Sequence, residues 1–164
     1  MRRKDKEITN QSDIESILQK AKVCRLGLLD GNVPYIAPVH YGYKKGQIFI
    51  HAAKEGKKID LIKKNPKVCF EVELDHNIRN TDIPCNWSTT YKSIIGYGKA
   101  SILTDIEEKK LALGILIDHY APGTIYDFSR RKLNSVAVIK ITIDSMTGKQ
   151  SLDYLLEPNS YNYI

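Results

Sequence analysis

The sequence predicts a mainly β, α+β fold: a closed antiparallel barrel of about six strands with three helices packed against it. Three observations carry this reading. Short apolar runs are separated by Gly- and Asn-containing turns, so successive strands are neighbours in the chain. Period-2 alternation is at its clearest from Val68 to Leu74, where Val68, Phe70, Val72 and Leu74 alternate with Cys69, Glu71 and Glu73. Two βαβ-like connections exist, but neither GxGxxG nor GxxxxGK[ST] occurs, so neither a doubly wound nucleotide fold nor a phosphate-binding P-loop is supported.

The elements follow in order. A first helix spans about Asp13 to Ala21, with Ser12 and Glu15 as a capping box and Ile14, Ile17 and Leu18 as its apolar stripe. Val23 to Leu29 is a strand, and Asp30-Gly31 turns the chain. A second strand runs from about Tyr35 to Tyr43, Lys44-Lys45-Gly46 turns again, and Gln47 to Ala52 completes a three-stranded meander. Gly56 opens a helix over Lys57 to Lys64, with Ile59 and Ile62 facing inward and Leu61 beside them. Asn65-Pro66 ends it, because the residue before a proline is pushed out of the helical region.

Val68 to Leu74 is the fourth strand, followed by a long polar loop from Asp75 to Asn86. Tyr91 to Leu103 reads as a long strand whose Gly96 and Gly98 share one face, which signals a bend or a close backbone approach. Thr104 and Glu107 cap a helix from about Asp105 to Tyr120, and Ser135 to Asp144 is the last strand. Thr147-Gly148-Lys149 opens a tail without clear periodicity. With no repeat, linker or low-complexity tract, residues 1–164 are expected to form one domain, with a barrel core of about 22–145 and a tail of 146–164.

Composition bounds the function. The 164 residues are 42% hydrophobic and 27% charged, enough to bury a core without staples. The longest apolar stretch, Leu111 to Ile117, is broken by Gly114 and falls far short of the roughly 20 residues of a membrane span. The polar opening Met1-Arg2-Arg3-Lys4-Asp5-Lys6 lacks the apolar region of a secretory signal, so a cytoplasmic location is expected. Cys24, Cys69 and Cys85 are odd in number and far apart, which fits neither a disulfide framework nor a CxxC metal site. The four histidines share no HExxH spacing, so no metal site is expected. The net charge of +6 is consistent with an anionic ligand or a solvated lysine-rich surface.

Three segments can carry chemistry. His51-Ala52-Ala53-Lys54-Glu55-Gly56-Lys57-Lys58 ends a strand, offers small side chains and starts a helix with two lysines. Cations are unfavourable against a helix N-terminus unless an anion sits there, so the segment reads either as a phosphate cradle or as a lysine-rich surface helix. Pro38-Val39-His40-Tyr41 is a mixed polar and aromatic strand that can either face a flat ring or stand as plain barrel wall. Trp87-Ser88-Thr89-Thr90-Tyr91-Lys92-Ser93 holds the sole tryptophan at a strand mouth, as an interface anchor or as core.

Taken in order, these segments resemble the pyridoxamine 5'-phosphate oxidase-like superfamily, and within it the nitroimidazole-resistance branch. The likeness rests on Val23-Cys24-Arg25-Leu26, Val33-Pro34-Tyr35-Ile36-Ala37-Pro38-Val39-His40-Tyr41-Gly42-Tyr43 and Phe49-Ile50-His51-Ala52-Ala53 leading into Gly56-Lys57-Lys58. It continues through Asn65-Pro66-Lys67-Val68-Cys69-Phe70, Trp87-Ser88, Tyr91-Lys92-Ser93-Ile94-Ile95-Gly96-Tyr97-Gly98 and Thr147-Gly148-Lys149. The resemblance implies a six-stranded antiparallel split β-barrel with flanking helices. It further implies a homodimer with FMN between subunits and an oxidoreductase of the nitroreductase kind, acting on a small electron-poor substrate.

Carried over by residue, Lys57 and Lys58 would hold the FMN phosphate, and His51, Ala52 and Ala53 would line the ribityl path. Pro38, Val39, His40 and Tyr41 would run beside the isoalloxazine. Trp87, Ser88, Tyr91 and Ser93 would approach from the partner subunit. His51 and His40 are the candidate catalytic residues, an imidazole near the ring being able to move a proton near neutral pH. A nicotinamide donor would bind transiently at the open flavin face, since no dinucleotide motif is present. The segment from Leu152 to Ile164 lacks the arginine and histidine of true pyridoxamine phosphate oxidases, which argues against vitamin B6 oxidation. Non-enzymatic flavin storage or sensing is an alternative. Haem held by His40, His51 or His119 is another. A basic nucleic-acid-binding barrel ranks below both, because the strand aromatics sit among apolar neighbours.

Overall fold

The computed structural model describes residues 2–151. One eight-stranded antiparallel sheet forms the body of the molecule. Its strands are β1 (Glu7–Ile8), β2 (Cys24–Asp30), β3 (Val33–Val39), β4 (Gly42–Lys44), β5 (Gln47–Ala52), β6 (Lys67–Arg79), β7 (Ser88–Ile102) and β8 (Ala137–Gln150). The helices are α1 (Gln11–Lys20), α2 (Lys57–Lys64), α3 (Ile106–Tyr120) and α4 (Arg130–Ser135). Spatial order along the sheet is β3-β2-β6-β7-β8-β5-β4, with β1 paired to β8.

The antiparallel sheet with flanking helices is the expected class, but the barrel is not closed. The expected second strand, Tyr35 to Tyr43, is two strands broken at His40-Tyr41. Its first half pairs with β2 and its second half with β5, so the two halves lie at opposite ends of the strand order. The anticipated meander is therefore interrupted: β3 and β5 diverge. This break is the split of the barrel.

Inward residues of the strands build the larger core, where Leu26, Tyr41, Ile48, Ile50, Phe70, Val72, Ile94, Ile139 and Ile141 are wholly buried. A second apolar cluster lies on the other side of β5 and β8. There Phe49 and Val138 meet Leu103, Ala112, Leu113 and Ile115 around α3, and Leu133 from α4. Two glycines let elements cross closely. A Cβ on Gly42 would stand 2.8 Å from the Leu116 backbone, so α3 crosses β4 at the one point without a side chain. A Cβ on Gly96 would lie 2.2 Å from the Phe70 ring, which fills that space instead.

Other boundaries moved for local reasons. Asn10, not Ser12, caps α1, accepting from the Ser12 amide at 2.9 Å. Asp105 caps α3, accepting from Glu107 and Glu108 amides, in place of Thr104. The polar loop expected from Asp75 is still strand as far as Arg79, because a bulge between Leu74 and Asn77 lets β6 resume pairing with β7. Helix α4 was not foreseen; six residues with a single buried leucine give no periodicity. The last strand continues to Gln150, so 146–150 belong to the sheet and not to a tail. Gly148, read as tail, pairs with Ile8 and lies under Ile8 and Ile14. The Tyr-rich segment with Tyr154, Tyr161 and Tyr163 lies outside the described residues.

Candidate functional site: the split and its anion cradle

The split opens past the last β4–β5 pair, where residues 38–41 and 51–53 part from each other. The β4–β5 ladder pairs Lys44 with Gln47, Tyr43 with Ile48 and Gly42 with Phe49. Continued further, that register would set His40 opposite His51 and Val39 opposite Ala52. The ladder stops first, because β3 turns away to β2.

Backbone groups freed at this turn need other partners. The Tyr41 amide donates to the Tyr120 hydroxyl at 3.0 Å, and that hydroxyl donates to the Lys22 carbonyl at 2.7 Å. The Tyr41 phenol is fully buried and donates to the Leu18 carbonyl at 2.7 Å; burial drives its acidity far down. His119 Nε2 donates to the Ala21 carbonyl at 2.7 Å, and Lys22 Nζ donates to the His119 carbonyl at 2.9 Å. Burial holds His119 below the ordinary histidine range. The end of α3 thus clasps the strand break to the α1–β2 connection. His40 stays exposed, its ring edge-on to Tyr120 at 5.4 Å.

The cradle lies at the end of β5. Tyr35, Ala52, Ala53, Gly56, Lys57 and Lys58 are among the residues lining a hollow of about 230 Å³. Gly56 has φ 126°, a conformation side chains rarely adopt, and it leads directly into α2. The first amides of α2 have no acceptor within the helix and carry its positive dipole end. The two lysines differ. Lys57 is engaged: its Nζ is 2.9 Å from Asp30 Oδ2 and lies 4.8 Å from the Tyr35 ring centre. Lys58 is half-buried, burial pushes its ammonium below the usual lysine range, and among the described residues no carboxylate pairs with it. Free amides, a cation without a counter-ion and small neighbours make a donor set that suits a phosphate.

The expected ring-side residues divide by pleat. Pro38 and His40 are exposed, whereas Val39 and Tyr41 point into the core and can offer a ligand only backbone. His51 is exposed at the other lip, opposite to the inward Ala52. Trp87, Ser88, Tyr91 and Ser93 are not brought to the split within one chain. Trp87 is exposed and donates its indole N–H to the Thr81 carbonyl at 2.9 Å. Ser88 pairs with Arg79, the Tyr91 carbonyl accepts from the Ser151 amide, and Ser93 lies between Glu73 and Lys149. Roughly 30 Å of β7 separates Ser93 from the end of the strand near β5.

Residues the sequence did not single out also meet here. Tyr120 orders the break, and Leu116, Phe128 and Lys132 line an apolar cavity that His51 touches. A helix-terminal tyrosine carries no local mark of that role. Among the described residues no group of three or more His, Cys, Asp or Glu side chains could hold a metal ion. Cys24 is buried, and its thiol is pushed up to about 12. No helix among the described residues is long and apolar enough to cross a membrane.

Fold and site together define a split antiparallel barrel with a lysine-bearing hollow at a helix N-terminus beside its opening. The pyridoxamine 5'-phosphate oxidase family profile matches residues 10–150, and the chain belongs to that family. A solved protein from Bacteroides thetaiotaomicron, provisionally described as a 5-nitroimidazole antibiotic resistance protein, is 34% identical, with a TM-score of 0.78 over 88% of this chain and 86% of that one. An FAD- and haem-binding protein from Mycobacterium smegmatis shares the fold at 17% identity, with a TM-score of 0.81 over 90% of this chain and 74% of that one. A flavocytochrome from Azotobacter vinelandii does so at 16% identity, with a TM-score of 0.79 over 100% and 84%. No curated protein matches the chain.

Proposed function

We propose that this chain is a cytoplasmic, FMN-dependent oxidoreductase that works as a homodimer and reduces small electron-poor acceptors. The observation that carries the reading is the cradle, with Lys58 half-buried and unpaired beside the N-terminal amides of α2. When bound, FMN would supply the redox chemistry. The chain's own part is positioning. Lys58 and the α2 amides hold the phosphate, and Asp30 keeps Lys57 and Tyr35 at the rim. Ala52 and Ala53 leave room along the backbone, while Pro38, His40 and His51 border the ring. The likeness to the Bacteroides protein supports nitroaromatic acceptors.

The outer face of the sheet supports a second copy. Tyr91, Ser93, Ile95 and Tyr97 alternate onto one side of β7. Their row continues across Cys69 and Gly27 to Ile36, with Ile36 65% and Tyr97 58% exposed. Pairing through this face would carry the Trp87–Ser93 segment of one copy toward the split of the other.

The test is an absorbance spectrum of purified protein after FMN addition and removal of excess, for wild type and Lys58→Gln. A two-band flavin spectrum is expected for wild type, with at least tenfold weaker retention in the variant, matching loss of a charge-assisted phosphate contact. A Soret band in wild type would overturn the reading in favour of haem. Equal retention by the variant would remove the cradle from the site.

A further inference from the structure

A second cavity opens on the other side of β5 from the main core. It measures about 310 Å³, and its walls are Leu113, Leu116 and Ile117 of α3, Phe128 of the following loop and Val136. Polar groups are confined to His51, Lys132 and Ser135. Its volume is within the range of small-ligand sites, which pair apolar walls with a few placed polar groups.

Its roof is set by a glycine. Gly114 stands in the middle of α3, where a helix former would be expected. A Cβ there would lie 2.1 Å from the Tyr126 hydroxyl, so its absence lets the 121–129 loop settle on α3. Tyr126 then packs at a tilt against Phe128 with ring centres 5.2 Å apart, and Phe128 becomes a wall of the cavity. Lys132 lines the cavity from α4 and is exposed, and among the described residues no carboxylate pairs with it. An apolar cavity with an exposed, unpaired lysine among its lining residues is complementary to an apolar ring bearing one negative charge.

We propose that this cavity binds an aromatic monocarboxylate, its ring between α3 and Phe128 and its carboxylate at Lys132. The proposal deepens the oxidoreductase reading and rests on it for function: His51 belongs to both the split and the cavity, so the occupant would be the electron acceptor's class. Binding itself can be tested apart from that reading. Isothermal titration uses 2-naphthoate and its neutral counterpart 2-naphthylmethanol, on the full chain with and without added FMN.

Saturable binding of naphthoate, weakened about tenfold by Lys132→Gln, is expected, while the neutral alcohol is indifferent to that change. FMN retention should be the same in Lys132→Gln as in wild type. Failure of FMN retention with naphthoate binding intact would sink the flavin reading and leave the cavity's ligand class standing. Absence of saturable naphthoate binding would overturn the proposal, as would equal affinity in Lys132→Gln. Competition between naphthoate and FMN would also overturn it, by making the cavity part of the flavin's own site.

Discussion

Two ladders meet in this sheet and end in opposite ways. β7 and β8 pair from Lys92 and Gln150 to Ile102 and Ile139, so the backbone there satisfies itself across a bulge at Tyr97. β4 and β5 pair over three positions only, from Lys44 with Gln47 to Gly42 with Phe49. Beyond them the main chain is held by side chains: the Tyr120 hydroxyl serves the Tyr41 amide, and the Tyr41 phenol serves Leu18. A continuous ladder gives rigidity and leaves nothing to offer a ligand. An interrupted one parts two strand ends around a space, and the groups that replace its bonds are specific, replaceable side chains.

The largest contrast comes from two glycines. Gly42→Ala should destabilise by about 3 kcal/mol in urea unfolding, because its Cβ meets Leu116 and Ile115 backbone that cannot move aside cheaply. It should also impair FMN retention, since α3 and its Tyr120 must shift from the break. Gly96→Ala should cost a similar amount by displacing the buried Phe70 ring, yet spare retention among properly folded molecules. Equal loss of retention in both would erase the distinction between the ladders.

Removing one hydroxyl from the clasp tests it more gently. Tyr41→Phe strips the buried Leu18 carbonyl of its donor and should cost about 1–2 kcal/mol by denaturant titration. Tyr120→Phe unpairs the Tyr41 amide and should cost no more than that, with the more exposed site open to water.

Acid should loosen the clasp end first. Burial keeps His119 neutral in the folded chain, while the unfolded chain takes up its proton near the ordinary value of 6.5. Below that pH the unfolded state binds more protons than the folded state, so stability falls as pH drops through the window between the two values. His119→Gln should flatten this slope; an unchanged slope would assign it to other groups.

The smallest effect belongs to the continuous side. Arg25 reaches Glu71 at 2.9 Å and Glu73 at 2.7 Å across the outer sheet face. As a partly exposed pair in a lone chain, Arg25→Gln should cost under about 1 kcal/mol. A larger loss that grows with protein concentration, followed by sedimentation, would report that a second copy buries this face.

Much of the molecule was legible in advance because it is governed by neighbours in sequence. Helix α2 has the expected bounds, since Gly56 and Asn65-Pro66 punctuate it and Ile59 and Ile62 mark its buried face. The hollow beside α2 draws most of its lining from one legible run for the same reason: small residues, a glycine and two lysines lie close together in sequence. That run did not reveal which lysine is free, because Asp30, which claims Lys57, lies on another strand. Four sequence patterns misled. The strand from Tyr35 to Tyr43 reads as one period-2 segment, and nothing local marks His40-Tyr41 as a break. Asp75 to Arg79 reads as loop because the bulge at Leu74 shifts its phase. Six residues of α4 carry no period. Thr147-Gly148-Lys149 reads as tail although β1, β7 and α1 make it strand.

The sequence by itself determined the antiparallel class, the places of α1, α2 and α3 in the chain and the family, because turns, caps and alternation act over a few residues. Only the tertiary structure decided where the barrel parts, that Tyr120 and His119 hold the parting, and that His51 borders a roofed apolar cavity. Those outcomes depend on which strand wins β3 and which side chains arrive from far along the chain, and no local pattern carries that competition.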